Sequence, residues 1–127
     1  MDLESLKPPH ERAVLELERL KARRFLEEGK TKEFYSELAD ILRRYLERGF
    51  QIDSLERTTF ELVKILKERN FPEDALGRTK TVLENSDLVK FAKFIPERNF
   101  ADGLCEELVE IVNLTKPVAV EEGKQVR

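Results

Sequence analysis

The sequence predicts an all-α fold, a compact antiparallel bundle of about five helices. Three observations lead there. Apolar residues recur at helical spacing in successive segments, most clearly at Phe34, Leu38, Ile41, Leu42 and Tyr45. Charged residues make up 39% of the chain, and only five Gly and five Pro interrupt it, a composition typical of amphipathic helices with solvated outer faces. No stretch sustains the period-two alternation of a half-buried strand, and no Asn-Gly hairpin turn occurs.

The elements follow in order. Residues 1–9 read as a short leader ending in Lys7-Pro8-Pro9, where proline suits a helix start because its missing N–H would be unpaired there anyway. A first helix is expected from His10 to Glu28, with Ala13, Leu17, Leu20 and Phe25 on one face, Val14 and Leu26 widening it, and Gly29 closing it. Thr31 is the expected N-cap of a second helix over 32–48, which buries Phe34, Leu38, Ile41, Leu42, Tyr45 and Leu46. Gly49 is expected to stop it, with Phe50 making the apolar contact that accompanies a glycine cap.

Residues 50–57 form a connection anchored by Ile52 and Leu55. Thr58-Thr59-Phe60-Glu61 is a capping box: the Thr58 hydroxyl accepts from the Glu61 amide while the Glu61 carboxylate reaches back. It opens a third helix over 59–69 that buries Leu62, Val63 and Leu66, followed by a turn at Asn70-Phe71-Pro72. The fourth segment holds two stripes, Leu76, Thr79 and Leu83, then a rotated one at Leu88, Phe91, Ala92 and Ile95, with Asn85-Ser86-Asp87 between. One bent helix ending near Phe94 is the preferred description, and two helices the alternative. Pro96 ends that segment. A fifth helix over 98–114 buries Phe100, Leu104, Leu108, Ile111 and Val112, although Gly103 inside it costs roughly 1 kcal/mol relative to Ala. Thr115-Lys116-Pro117 stops it, and residues 115–127 are expected to form a flexible tail beyond a single bundle domain at 10–114.

A length of 127 residues suits one domain around one core, and 40% hydrophobic residues with eight Phe are enough to fill it. The formal net charge of -3, from 23 basic and 26 acidic residues, gives no general attraction to phosphate backbones and disfavours nucleic acid as a partner. One cysteine, Cys105, forms no internal disulfide, which fits a reducing cytoplasm. No apolar run approaches the roughly 18 residues that cross a bilayer, and the polar N-terminus lacks a signal peptide's apolar stretch.

No residue suggests catalysis, a cofactor or a metal. His10 and Cys105 occur singly, short of any zinc spacing, and read as a surface or capping histidine and a buried thiol. Adjacent acidic pairs such as Glu27-Glu28 point about 100° apart on a helix and do not converge. Glu106 and Glu110 share a face, but no histidine accompanies them as in a di-iron bundle. The glycines are isolated, outside any phosphate-binding loop, and no serine sits in a nucleophile elbow.

Basic residues late in the first two helices, among them Arg24, Arg43 and Arg44, suit the negative end of the helix dipole. The segment 87–94 offers more. Lys90 and Lys93 share a face flanked by Phe91 and Phe94, either lysines snorkelling over core aromatics or an aromatic partner-binding surface edged with charge. On the second reading the binding residues are Lys90, Lys93 and Phe94, with Arg57 as their neighbour, and Asp87 orients the turn.

Several stretches, in order, resemble one family: Pro8-Pro9-His10-Glu11, Lys32-Glu33-Phe34-Tyr35, Leu42-Arg43-Arg44-Tyr45-Leu46-Glu47, Leu55-Glu56-Arg57-Thr58-Thr59 with Glu61, and Asp87-Leu88-Val89-Lys90-Phe91-Ala92-Lys93. Together, over residues 8–112, they look like the cytoplasmic C-terminal helical domain of BatD-like bacterial membrane proteins of the aerotolerance operon. The resemblance implies a non-enzymatic adaptor on the cytoplasmic side of the inner membrane, with a MoxR-type AAA+ ATPase or a von Willebrand factor A protein as partner. It implies that residues 1–9 are a juxtamembrane linker. Such proteins also carry an exported immunoglobulin-like region and a membrane helix that this chain lacks, so the resemblance makes it a piece of a longer protein, attached to the membrane through a segment upstream. A reading from a different class is a free cytoplasmic helical regulator, contacting nucleic acid through Lys90 and Lys93 with Arg43 and Arg44.

Overall fold

A computed structural model describes residues 3–117. After one 3-10 turn at Leu3–Leu6 come five helices: α1 (Pro9–Ala22), α2 (Thr31–Phe50), α3 (Thr59–Glu68), α4 (Glu73–Ala92) and α5 (Arg98–Thr115). They pack against one another, and no strand occurs among the described residues. Of the tail expected at 115–127, Thr115 belongs to α5, where its hydroxyl shares a 2.8 Å hydrogen bond with the Tyr45 hydroxyl, and residues 118–127 lie outside the described residues. Among the described residues no helix is long and apolar enough to cross a membrane.

Local chemistry explains two helix starts. Pro9 occupies the first turn of α1 behind an extended Pro8. The capping box at α3 is complete: the Glu61 amide donates to the Thr58 hydroxyl at 3.1 Å, and the Thr58 amide to the Glu61 carboxylate at 3.0 Å. Other ends differ from expectation. Helix α1 stops at Ala22, six residues before Glu28, because Arg23 turns extended and residues 24–29 form a turn. Phe25 and Leu26 still pack on the core from that turn, so their spacing looks helical although their backbone is not. Gly29 serves the turn, at φ 76°, a conformation that a side chain would disfavour. Thr31 lies inside α2, and Lys30 precedes it without a side-chain cap. Gly49 is absorbed by α2, which ends at a left-handed Gln51. The Phe50 contact exists nonetheless: its ring stands edge-on to Tyr45 and Phe71, with centroids 5.8 and 5.4 Å away.

The core lies where α2 meets α1, α4 and α5, and α3 lies against α4. Leu38, Ile41, Leu42, Leu46, Leu62, Leu66, Leu83, Leu108 and Ile111 are fully buried, each stabilising the fold by about 1.5–3 kcal/mol relative to exposure. Helix α4 is a single helix through Asn85-Ser86-Asp87. Its buried residues, Ala75, Thr79, Val82, Leu83, Ser86 and Val89, form one stripe with successive steps of four, three, one, three and three that passes through two hydroxyl residues. The rotated stripe read from the sequence is instead turned outward. Leu88 is 47% exposed, Phe91 76% and Ile95 80%, so these are surface residues. Leu55, expected as an anchor, is exposed too, and the connection is held by Ile52 and by polar contacts described below.

Candidate functional site

The connection between α2 and α3 is fastened by one buried arginine. The inward-facing side of α2 carries Arg43, 8% exposed. Its guanidinium donates to the Ser54 carbonyl at 2.7 Å and the Arg57 carbonyl at 2.6 Å, and makes a long contact, 3.4 Å, with the Thr59 hydroxyl. The Ser54 hydroxyl returns a bond to the Arg43 carbonyl, and Glu47 accepts from the amides of Ser54 and Leu55. Thr59 in turn donates to the Asp87 carboxylate at 2.6 Å, linking the start of α3 to α4. Backbone groups in this non-helical stretch thus find partners they would otherwise lack. Asp87 lies inside the continuous helix α4, so the turn expected at its position does not occur, and its carboxylate instead accepts from the start of α3.

Two hollows share Thr59 and Asp87 as a common wall. The first, about 380 Å³, lies where the connection meets the end of α4 and is lined by Asp40, Leu55, Arg57, Lys90 and Phe91 among others. Here Arg57 and Lys90 come together. The Lys90 ammonium sits 5.2 Å from the Phe91 ring centroid, an attraction between cation and ring face. With Phe91 on the surface, Lys90 does not snorkel over a core aromatic. Lys93 and Phe94 lie beyond this hollow: Lys93 ends α4 in the left-handed conformation at φ 57°, and Phe94 packs edge-on to Phe100 at 6.2 Å. The structure therefore unites two of the four sequence-derived candidates and sets the other two at the adjacent helix end.

The second hollow, about 450 Å³, runs between α3 and α4. Sequence reasoning missed it. Phe60, Val63, Lys64 and Lys67 line it from α3, and Lys80 and Glu84 face them from α4. The available signal was the spacing of 60, 63, 64 and 67, a second helical face beside the Leu62, Val63 and Leu66 stripe.

Arg43 and Arg44, which a nucleic-acid role would need, are committed elsewhere. Arg43 is buried in the network above. Arg44 bridges Glu16 at 3.2 Å and Glu37 at 2.7 Å, and Arg48 joins the same Glu16 at 2.9 Å. Cys105 is buried on α5, and burial pushes its thiol up to about 11, with Asp102 and Glu106 adding to the shift and Lys21 opposing it. It is a packed thiol, far from the depressed range of a nucleophile. His10 is half-buried at the start of α1 with its Nδ1 unpartnered among the described residues. No group of three or more His, Cys, Asp or Glu among the described residues is placed to hold a metal ion. In comparisons with known proteins, the chain matches no family model, no curated protein and no solved structure.

Proposed function

We propose that this chain is a non-enzymatic protein-interaction domain that docks its partner where the α2–α3 connection meets the end of α4. The observation that carries this is the outward Phe91, 76% exposed, covered by Lys90 and facing the same hollow as Arg57. A large aromatic beside guanidinium and ammonium groups is the chemistry of interface hot spots, since it buries much area with little side-chain entropy to lose. The surface continues through Leu88, Lys93, Phe94 and Ile95, all exposed, at the end of the same helix. The resemblance to BatD-like domains supplies the partner: a MoxR-type AAA+ ATPase or a von Willebrand factor A protein, met at the cytoplasmic face of the inner membrane by a membrane-anchored parent.

An NMR titration of the isotope-labelled chain with a MoxR-type ATPase, with and without ATP, and with a von Willebrand factor A domain tests it. Shifts centred on Arg57, Lys90 and Phe91 that vanish in Lys90→Glu are expected. The absence of both shifts and broadening with either partner at high concentration would overturn the proposal.

A further inference from the structure

We infer that the groove between α3 and α4 binds an acidic amphipathic helix of a protein partner. This deepens, and rests on, the proposal that the chain is an interaction domain. Three features of the groove support it.

The first is apolar surface left uncovered. Phe60 is 80% exposed at the start of α3, although the helix needs no such residue there: the capping box uses only Thr58 and Glu61. Val63, one turn on, lines the floor of the groove although it is largely buried, 9% exposed, so the uncovered apolar surface is mainly the Phe60 ring. The second is charge. Lys64 and Lys67 on α3 and Lys80 on α4 are exposed, and no ion pair among the described residues holds any of them. The acidic residues of the groove are Glu84 and Asp87, and Asp87 already accepts from Thr59. Three lysines against these two carboxylates leave the groove positive on a chain of net charge -3. A partner of acidic character is complementary to it, and one of basic character is repelled.

The third feature is the form of the walls. Phe60, Val63, Lys64 and Lys67 stand at i, i+3, i+4 and i+7, a single helical face, opposite Lys80 and Glu84 one turn apart on α4. Both walls are helices whose backbone groups are bonded internally, so they offer no ladder to an extended strand. Recognition must run through side chains, and an apolar stripe repeating every three to four residues matches the length of this face. An occupant with leucines on one face and carboxylates along its flanks places the former on Phe60 and Val63 and the latter beside the lysines.

The test uses the full chain, isotope-labelled, and two designed peptides of about four helical turns. Both carry leucine at i, i+3 and i+7; one has glutamate at the flanking positions and the other lysine. The acidic peptide is expected to shift Phe60, Val63, Lys64, Lys67 and Lys80 saturably, and more weakly as salt rises from about 0.05 M to about 0.5 M. The triple variant Lys64→Glu, Lys67→Glu, Lys80→Glu alters only exposed residues; it is expected to lose the acidic peptide by at least about tenfold and to gain the basic one. Equal binding of the two peptides, or of neither, overturns the inference. Cosedimentation with phosphatidylserine vesicles that the acidic peptide does not compete away also overturns it, in favour of a lipid surface. Adding the MoxR-type ATPase to the same sample separates the two proposals. Shifts confined to Arg57, Lys90 and Phe91 with a silent groove defeat the acidic-helix inference alone. A peptide that binds while both the ATPase and a von Willebrand factor A domain stay silent defeats the partner assignment alone.

Discussion

Replacing Arg43 by Met removes the guanidinium while keeping much of the apolar stem that lies in the core. The variant loses two short charge-assisted hydrogen bonds, at 2.7 Å to the Ser54 carbonyl and 2.6 Å to the Arg57 carbonyl. Such bonds contribute about 1.5–3 kcal/mol each, so the gross loss is roughly 3–6 kcal/mol. Removing a buried charge recovers part of this, because its desolvation is no longer required. The net destabilisation expected is about 2–4 kcal/mol, a large share of the 5–15 kcal/mol typical of a domain. For a chain of this size that lowers Tm by roughly 6–20 °C. Urea unfolding followed by far-UV circular dichroism measures the loss, and hydrogen exchange locates it: amides of residues 54–59 should exchange faster than those of α1. Arg44→Met is the control, since its partly exposed pairs with Glu16 and Glu37 should cost only about 0.5–1 kcal/mol. An Arg43→Met loss no larger than the control's, or one without faster exchange in the connection, would refute the assignment of Arg43 as its fastener.

Further outcomes are expected. Thr58→Ala should cost about 1 kcal/mol by urea unfolding, and Glu61→Ala should add roughly 0.5 kcal/mol of its own, because the residue 58 amide donates to the Glu61 carboxylate without using the Thr58 hydroxyl. Burial raises the Tyr35 hydroxyl to about 12 and the Cys105 thiol to about 11, above their ordinary 10.0 and 9.0. Both groups are neutral when protonated and fold best that way, so their stabilisation is complete below pH 9 and is lost as pH climbs towards 11–12. The Tyr35 hydroxyl has no partner among the described residues, so Tyr35→Phe should change stability at pH 7 by less than about 1 kcal/mol. The same variant should raise the midpoint of alkaline unfolding, and an unchanged midpoint would contradict the buried, unpaired assignment.

What could be read from the sequence was whatever one helix decides for itself. The apolar face of α2, the α3 capping box, Pro9 at the start of α1 and the buried face of α3 appear as expected, and so does that of α5 except that Phe100 is only partly buried. The site was only half legible. Lys90 is legible from the spacing of residues 87–94 and Arg57 only as its expected neighbour, and the fold brings them to one hollow. The groove beside it needs α3 to lie against α4, which no local pattern states.

Tertiary structure decided the rest. Periodicity reports that residues share a face but not what covers that face. The Leu88, Phe91 and Ile95 stripe therefore looked like core, whereas the core of α4 runs through Thr79, Ser86 and Val89. The sequence reads Arg43 as suiting the negative end of the helix dipole, whereas the connection folds back over it and offers it two carbonyls. Sequence by itself determined where helices form, because their hydrogen bonds are local; the packing of distant elements determined which apolar residues stay outside, and with them the surface available to a partner.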